Sequence, residues 1–518
     1  MYKKKRYIVL FLLWCVIILN SSTLLGNPNY SFKHYNINNG LSQNSVHFIL
    51  QDRLGFIWIG TKDGLNRFDG TSFKTFRFSP EGVLRDNIFY HILEDKNGRI
   101  WLSTDGGIYI YDPKTEQFDL FNAIAAYDKK IDGMVSDFVQ DKDGDIWISI
   151  EEKGVFHYDY DGGKHRFYPV PFLPDGMRMI SLCAGDNNDI WVFPYGLPMM
   201  RINKETGQTT NFHLLNDPGF FAELGEVHKV VMDDHNLLLA ATSNKGLVSI
   251  NIDTHTHQVL LASDSSGKAI FARTFERVDN STLWIGSESG IYILNRNDNS
   301  VVNLRHHNFN PFSLSDNAIY TIYKDREGGI WTGSYFGGVD YYSRQYNNFE
   351  LFYPVPTDNS ISGSRVREFC VAPDGNIWIG TEDNGLNLFD PVTGQFLPLP
   401  DKLKSLYPNI HAIYANEDYL WVSTFSKGLN KFNLKTGELV TFTNSSHPNS
   451  LSHNSVFALC KDRREQLWVG TLSGLNIYNE AKNNFTRISE LESIFVQDIF
   501  EDSKDLIWVS TYSRGVFH

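Results

Sequence analysis

The side chains in this sequence that could carry chemistry are a scattered set of aromatic, basic and imidazole groups. The acidic residues mostly belong to a recurring turn. Tyr195 in "FPYG", Tyr335 and Phe336 in "SYFGG", Phe425 in "TFSKG" and Tyr512 in "TYSRG" interrupt short loops that read "TKDG" earlier in the chain. Rings at such places stack on sugar faces or anchor a partner. Arg178, Arg273, Arg365, Arg367 and His411 stand at the starts of strand-like runs; they suit an acidic or heavily hydroxylated ligand. No catalytic constellation accompanies them. There is no glycine-rich phosphate loop opening a helix and no G-x-S-x-G elbow. "DKDGD" at Asp141 has the acids of a calcium loop with its glycine misplaced, and reads as a hairpin turn. His255 with His257, and His306 with His307, form pairs for which no third ligand is placed, so they read as surface histidines. No metal and no cofactor is expected.

The elements that position these residues come from a repeat, which sets the fold. Tryptophans recur at Trp58, Trp101, Trp147, Trp191, Trp284, Trp331, Trp378, Trp421, Trp468 and Trp508. Between Trp191 and Trp284, Leu239 takes the tryptophan's place, with Asp233, Thr242 and Gly246 at the expected offsets. That makes eleven units spaced by 40 to 48 residues. Each unit carries four strand-like runs, as in "SVHFILQD", "FIWIGT", "LNRFD" and "SFKTFRF", separated by Gly, Asp and Asn. Four strands per unit at such a period predict the blades of a β-propeller. The D-x-x-G step reads as a tight hairpin turn, the tryptophan as inter-blade packing, and the later glycine as the opening of the third strand.

Composition is globular, with 42% hydrophobic residues and a net charge of −13. Beyond the first few residues there is no basic block, which argues against nucleic-acid binding. Lys3 to Arg6 and the apolar run Ile8 to Leu19 read as an export signal ending near Gly26. The alternative is an uncleaved N-terminal anchor. The remaining cysteines, Cys183, Cys370 and Cys460, are expected to be buried free thiols.

The phrase D-x-x-G-x-[IL]-W-[IVL]-[GS]-T, followed by G-L-x-x-[FY]-[DN], resembles the two-component regulator propeller repeat. The lead-ins "GLSQNSV" (Gly40–Val46), "LSDNAI" (Leu314–Ile319) and "LSHNSV" (Leu451–Val456) match the same repeat. The resemblance runs from Ser31 to His518. It implies an all-β chain of tandem propellers with four-stranded blades. The expected layout is a signal over residues 1–26, a seven-bladed ring over 27–345 and four blades of a second, incomplete ring over 346–518; a single eleven-unit array is the alternative. The resemblance further implies the periplasmic sensor region of a Bacteroides-type hybrid two-component system, responding to glycan fragments to switch on polysaccharide-utilisation genes. Its expected partners are an oligosaccharide and, in a full-length protein, a second copy. A membrane is expected only through an N-terminal anchor or a downstream span, and no kinase is expected within these residues. The competing readings are a secreted propeller lyase or glycosidase, favoured by acid, histidine and tyrosine converging in the first channel, and a free-standing interaction protein.

Overall fold

Alternating β-branched and aromatic residues between Gly/Asp/Asn turns suit half-buried strands, and that is what the chain makes of them. The computed structural model describes residues 30–79, 82–105, 107–128, 133–162, 164–172, 179–234, 236–343, 351–356 and 359–518. The export-signal segment, Cys15, Arg178 and the expected boundary at 345 lie outside the described residues. Among the described residues eleven antiparallel sheets follow one another, ten with four strands and the last with three. They span residues 46–76, 91–120, 135–169, 180–211, 227–261, 272–304, 319–342, 366–397, 410–442, 456–487 and 496–517, numbered here as sheets 1 to 11. Among the described residues three short helices, Ala123–Tyr127, Phe220–Glu223 and Asp401–Lys404, interrupt the links between sheets. The chain divides into two compact units, one up to Phe349 and one from Glu350.

In the first unit, Phe32–Tyr35 pairs antiparallel with Val339–Tyr342 and becomes the outer strand of sheet 7. The sequence assigns that aromatic stretch the same part, the strand completing the last blade. Sheet 1 packs on sheet 7 through a buried cluster of Tyr35, Leu41, Val46, Ile59, Trp331 and Val339. Each other buried cluster likewise joins neighbouring sheets; Trp58 of sheet 1, for example, packs with Phe89, Leu102, Tyr109 and Tyr111 of the next unit. A buried tryptophan of this kind removes roughly 150–250 Å² from water, worth on the order of 4–6 kcal/mol of transfer free energy. The small residue two places after the tryptophan makes room for the next sheet. A Cβ at Gly333 would sit 2.4 Å from Val46 Cγ1, and one at Gly470 2.5 Å from Val496 Cγ1.

The turn aspartate does more than cap its turn. Asp52 Oδ1 accepts the amides of Leu54 and Phe56, while Oδ2 accepts the Trp58 indole N–H at 2.7 Å. The same indole bond joins Asp95 to Trp101, Asp141 to Trp147, Asp325 to Trp331, Asp462 to Trp468 and Asp502 to Trp508. Where leucine replaces the tryptophan, Asp233 instead binds Arg296 (2.7 Å) and Arg277 (3.2 Å). The cation after the aspartate fastens its sheet to the next: Arg53 to Glu94, Lys96 to Asp161, Arg463 to Asp505, and Arg326 to the carbonyls of Asp52 and Arg53. Around Asp141 the three acids Asp141, Asp143 and Asp145 hold the Lys204 ammonium at 2.7, 2.7 and 2.9 Å. His157 bonds Asp145 at 3.0 Å beside them. A lysine therefore sits at the centre of the acid and histidine cluster that could hold a metal.

Two expectations are corrected. Cys183 is buried, but Cys370 and Cys460 are only half-buried, as is Leu50 at the same place opposite the tryptophan in sheet 1. His255 and His257 are not free surface groups: they stack on Phe212 and Phe220, and His255 Nδ1 bonds the His213 carbonyl.

Candidate ligand-binding face

Every blade sheet has its 1–2 and 3–4 turns at one end, and its 2–3 loop and entering chain at the other. At that second end the first strand skips one residue of its register in nine of the sheets; sheets 2 and 4 pair without a shift. The shift falls between Val46 and Phe48, Val135 and Asp137, Val227 and Lys229, Ala272 and Thr274, and Ile319 and Thr321 in the first unit. In the second unit it falls between Val366 and Glu368, Ile410 and Ile413, Val456 and Ala458, and Val496 and Asp498. A β-bulge frees one residue from the ladder and re-aims its side chain. The freed residues are His47, Ser136, His228, Arg273, Tyr320, Arg367, His411 with Ala412, Phe457 and Gln497.

The same end brings the 2–3 loop against the bulge. The amide of the first loop residue bonds the carbonyl two places before it: Lys62 to Ser45, Glu288 to Phe271, Tyr335 to Ala318 and Glu382 to Arg365, at 2.9–3.3 Å. The two side chains then meet. Arg273 pairs with Glu288 and lies 4.1 Å from the Tyr320 ring. Tyr320 stacks on Tyr335 at 5.2 Å, and Lys62 stands 3.9 Å from the Tyr335 ring, donating to its hydroxyl at 2.5 Å. Phe336 packs edge-on against Tyr335 and is 71% exposed. A cation–aromatic row thus crosses sheets 6, 7 and 1. Burial, followed by the charge of Arg273, lowers the His228 imidazole to about 4, with Glu226 Oε2 standing 3.2 Å from its Nε2. Burial likewise raises the Tyr320 hydroxyl.

In the second unit the row is aromatic. His411 packs with Phe425 (5.7 Å, stacked) and Phe457 (4.6 Å, edge-on), Phe457 with Phe495 (4.5 Å), and Phe495 with Tyr512 (5.8 Å, stacked). Phe425 and Tyr512 remain exposed. Burial and nearby Arg367 lower the His411 imidazole, and its Nδ1 is buried with no hydrogen-bond partner. Arg367 approaches Glu382 at 3.5 Å, and Arg365 is exposed two residues before it.

Of the residues singled out from sequence, Arg273, Tyr335 and Phe336 gather in one row, and His411, Phe425 and Tyr512 in the other. Arg365 and Arg367 lie at the same end of sheet 8. Tyr195 is half-buried in the sheet 4 loop, apart from both rows, and Arg178 lies outside the described residues. Sequence reasoning missed Lys62, Tyr320, Phe457 and Phe495. The signal for them was position: each lies at the bulge, just before it, or at the first loop place. It missed a further group near the channel as well. His47 stacks on Tyr90 at 5.6 Å, Tyr90 donates to Asp105 at 3.0 Å, and His91 faces Asp137 at 3.9 Å. Burial raises Asp137 to about 7 and lowers His91 to about 4.

The profile of the family described as "Two component regulator propeller" matches residues 40–63, 83–106, 313–336, 360–383 and 450–473. Five stretches of the chain match that repeat. Each matched stretch ends in the second strand and the loop after it, where the candidate face lies. A curated relative, histidine kinase P4 of Formosa agariphila, is 28% identical over 94% of this chain, which spans 37% of that relative's length. The extracellular domain of BT3049, a hybrid two component system of B. thetaiotaomicron, shares the fold at a TM-score of 0.66 and 22% identity, over 94% of this chain and 73% of its own. The extracellular domain of BT4673 from the same organism shares it at 0.50 and 21%, over 95% and 66%. These likenesses show the propeller fold. No helix among the described residues is long and apolar enough to cross a membrane.

Proposed function

We propose that this propeller region is the ligand-sensing part of a histidine-kinase signalling protein, lying outside the inner membrane and binding a glycan fragment to control polysaccharide-utilisation genes. The likeness to a histidine kinase and to extracellular domains of two-component systems supports the sensor part. The observation that carries the binding part is the recurrent bulge, which sets one freed side chain against one loop residue in sheet after sheet. The rows so formed offer hydrogen-bonding cations and flat rings, the two things a hydroxylated ring uses. In this reading the kinase lies in other parts of the protein, two copies act together, and ligand shifts a population between two arrangements. Sheets 8 to 11 would belong to a second ring, a layout supported by the uncovered faces of its first and last sheets.

The test is calorimetric titration of the whole chain with size-fractionated neutral and acidic oligosaccharides. Binding is expected from at least one fraction, and Arg273→Ala or Tyr335→Ala should weaken it about tenfold or more if it sits on the first row. Silence across all fractions contradicts the proposal. A second reading, a glycan lyase, is favoured by the His47–Tyr90–Asp105 and His91–Asp137 group, which pairs neutral imidazoles with a carboxyl held protonated near neutrality. Formation of unsaturated product from acidic polysaccharide, lost in His47→Ala, would establish it.

A further inference from the structure

The seam between sheets 4 and 5 lacks the Asp–indole bond, as do sheets 6, 8 and 9, where Val278, Ala372 and Ala415 stand six residues before the tryptophan, and it opens into a cleft. Counting back six residues from the tryptophan, Gly185 stands where Asp52, Asp95 and Asp141 accept an indole N–H. One residue later Asp186 stands where Arg53, Lys96 and Lys142 reach toward the following sheet. The Trp191 side chain is 5% exposed, and a Cβ at Gly185 would sit 3.0 Å from its indole nitrogen. Beside it opens a cleft of about 270 Å³, lined by Trp191, Arg201, Phe212, Asn236, Asp253 and His255, among others. In the adjacent seam Lys204 fills the corresponding place among three carboxylates.

The lining has the chemistry of a small polar site. His255 and Phe212 stack face to face (4.4 Å, 9°), giving one flat wall, and Trp191 meets Phe212 edge-on at 5.6 Å. Arg201 is held by Asp189 at 2.5 Å, and Asn236 donates to Asp253 at 2.5 Å. Asp186, Asp189 and Asp253 outnumber Arg201 on the wall, so an anion would be repelled. The volume equals that of about nine waters, enough for a single sugar ring. We propose that the cleft between sheets 4 and 5 is a second binding site, taking one uncharged hydroxylated ring of monosaccharide size against Trp191, Arg201 and Asp253. It lies at the turn end of the sheets, opposite the bulges, and stands whether or not the bulge-bearing face binds.

The repeat itself supplies the sharpest variant. Gly185→Asp restores the residue that occupies the indole N–H in other sheets, and Asp253→Ala removes a wall group without filling the cleft. Saturation-transfer NMR of the whole chain with glucose, galactose, mannose, xylose, arabinose, fucose and rhamnose reads the outcome. At least one sugar should receive transfer from the wild type, with at least about tenfold weaker affinity in both variants. Thermal unfolding of Gly185→Asp is expected at or above the wild-type midpoint. If Gly185→Asp does not fold, Asp253→Ala decides alone. Absence of transfer to every sugar, or transfer undiminished in a folded variant, overturns the proposal.

Discussion

Ile49 and Phe369 hold the same place in their sheets, each opposite the residue that follows the tryptophan, yet Ile49 is 5% exposed and Phe369 is 62% exposed. The tryptophans differ in the same way: Trp58 is fully buried and Trp508 is 38% exposed, although each indole bonds its own aspartate. In the first unit sheet 7 covers sheet 1, so every tryptophan face has a neighbour. In the second unit the outer faces of sheets 8 and 11 have none within the unit, leaving Val371 and Phe500 exposed as well. The repeat phrase specifies a sheet and its turn; burial comes from the sheet next door.

That contrast can be broken by substitution. Trp58→Ala should cost about 3–5 kcal/mol, because it empties a closed seam and orphans Asp52, while Trp508→Ala should cost about 1 kcal/mol or less. Urea unfolding of the two variants measures both, and equal costs would end the distinction. A valine in the small position sharpens it. Gly333→Val drives atoms into Val46 across the closure of the first unit and is expected to cost roughly 1–3 kcal/mol. Gly470→Val meets Val496 as closely, but sheet 11 has an open far face and can yield, so its cost should be smaller in the same assay.

The smallest effect is acid-linked. His91 and His228, both in the first unit, are lowered to about 4, against 6.5 for a free histidine, His91 by desolvation and the nearby His47 although 39% of its side chain is exposed. Unfolding lets them take up protons, so their contribution is complete above about 6.5 and is lost as pH falls toward 4. Unfolding midpoints of the first unit should drop across that window. His228→Gln should flatten the slope, and an unchanged slope would show that His228 is solvated.

Much of the fold was legible because each unit spells out its own strands and turns. The Asp–indole bond was not read from the sequence, where the aspartate stood as a turn residue and the tryptophan as packing, although a constant six residues separate Asp52 from Trp58 and Asp325 from Trp331. The bulge was not legible: the freed residue is His47, Arg273, Tyr320 or Phe457, and no residue type marks an unpaired place. Part of the candidate site was found through its loop members, Tyr335, Phe425 and Tyr512, and through Arg273, Arg367 and His411 at strand starts, while Tyr320, Phe457 and Lys62 needed coordinates. Residues hundreds of positions apart, such as Lys62 and Tyr335, meet only because sheet 1 returns to sheet 7. Cys370 and Cys460 were misjudged because exposure depends on neighbours that a local run does not record.

The most direct test of the central claim is hydrogen exchange on the whole chain, with and without the tightest-binding oligosaccharide of the titration panel. The account predicts slower exchange at the bulges and 2–3 loops, around Arg273, Tyr320 and Tyr335 or around His411, Phe457 and Tyr512, with the 1–2 turns of those sheets unchanged. Protection confined to the 1–2 turns, or absent from both rows, would contradict it.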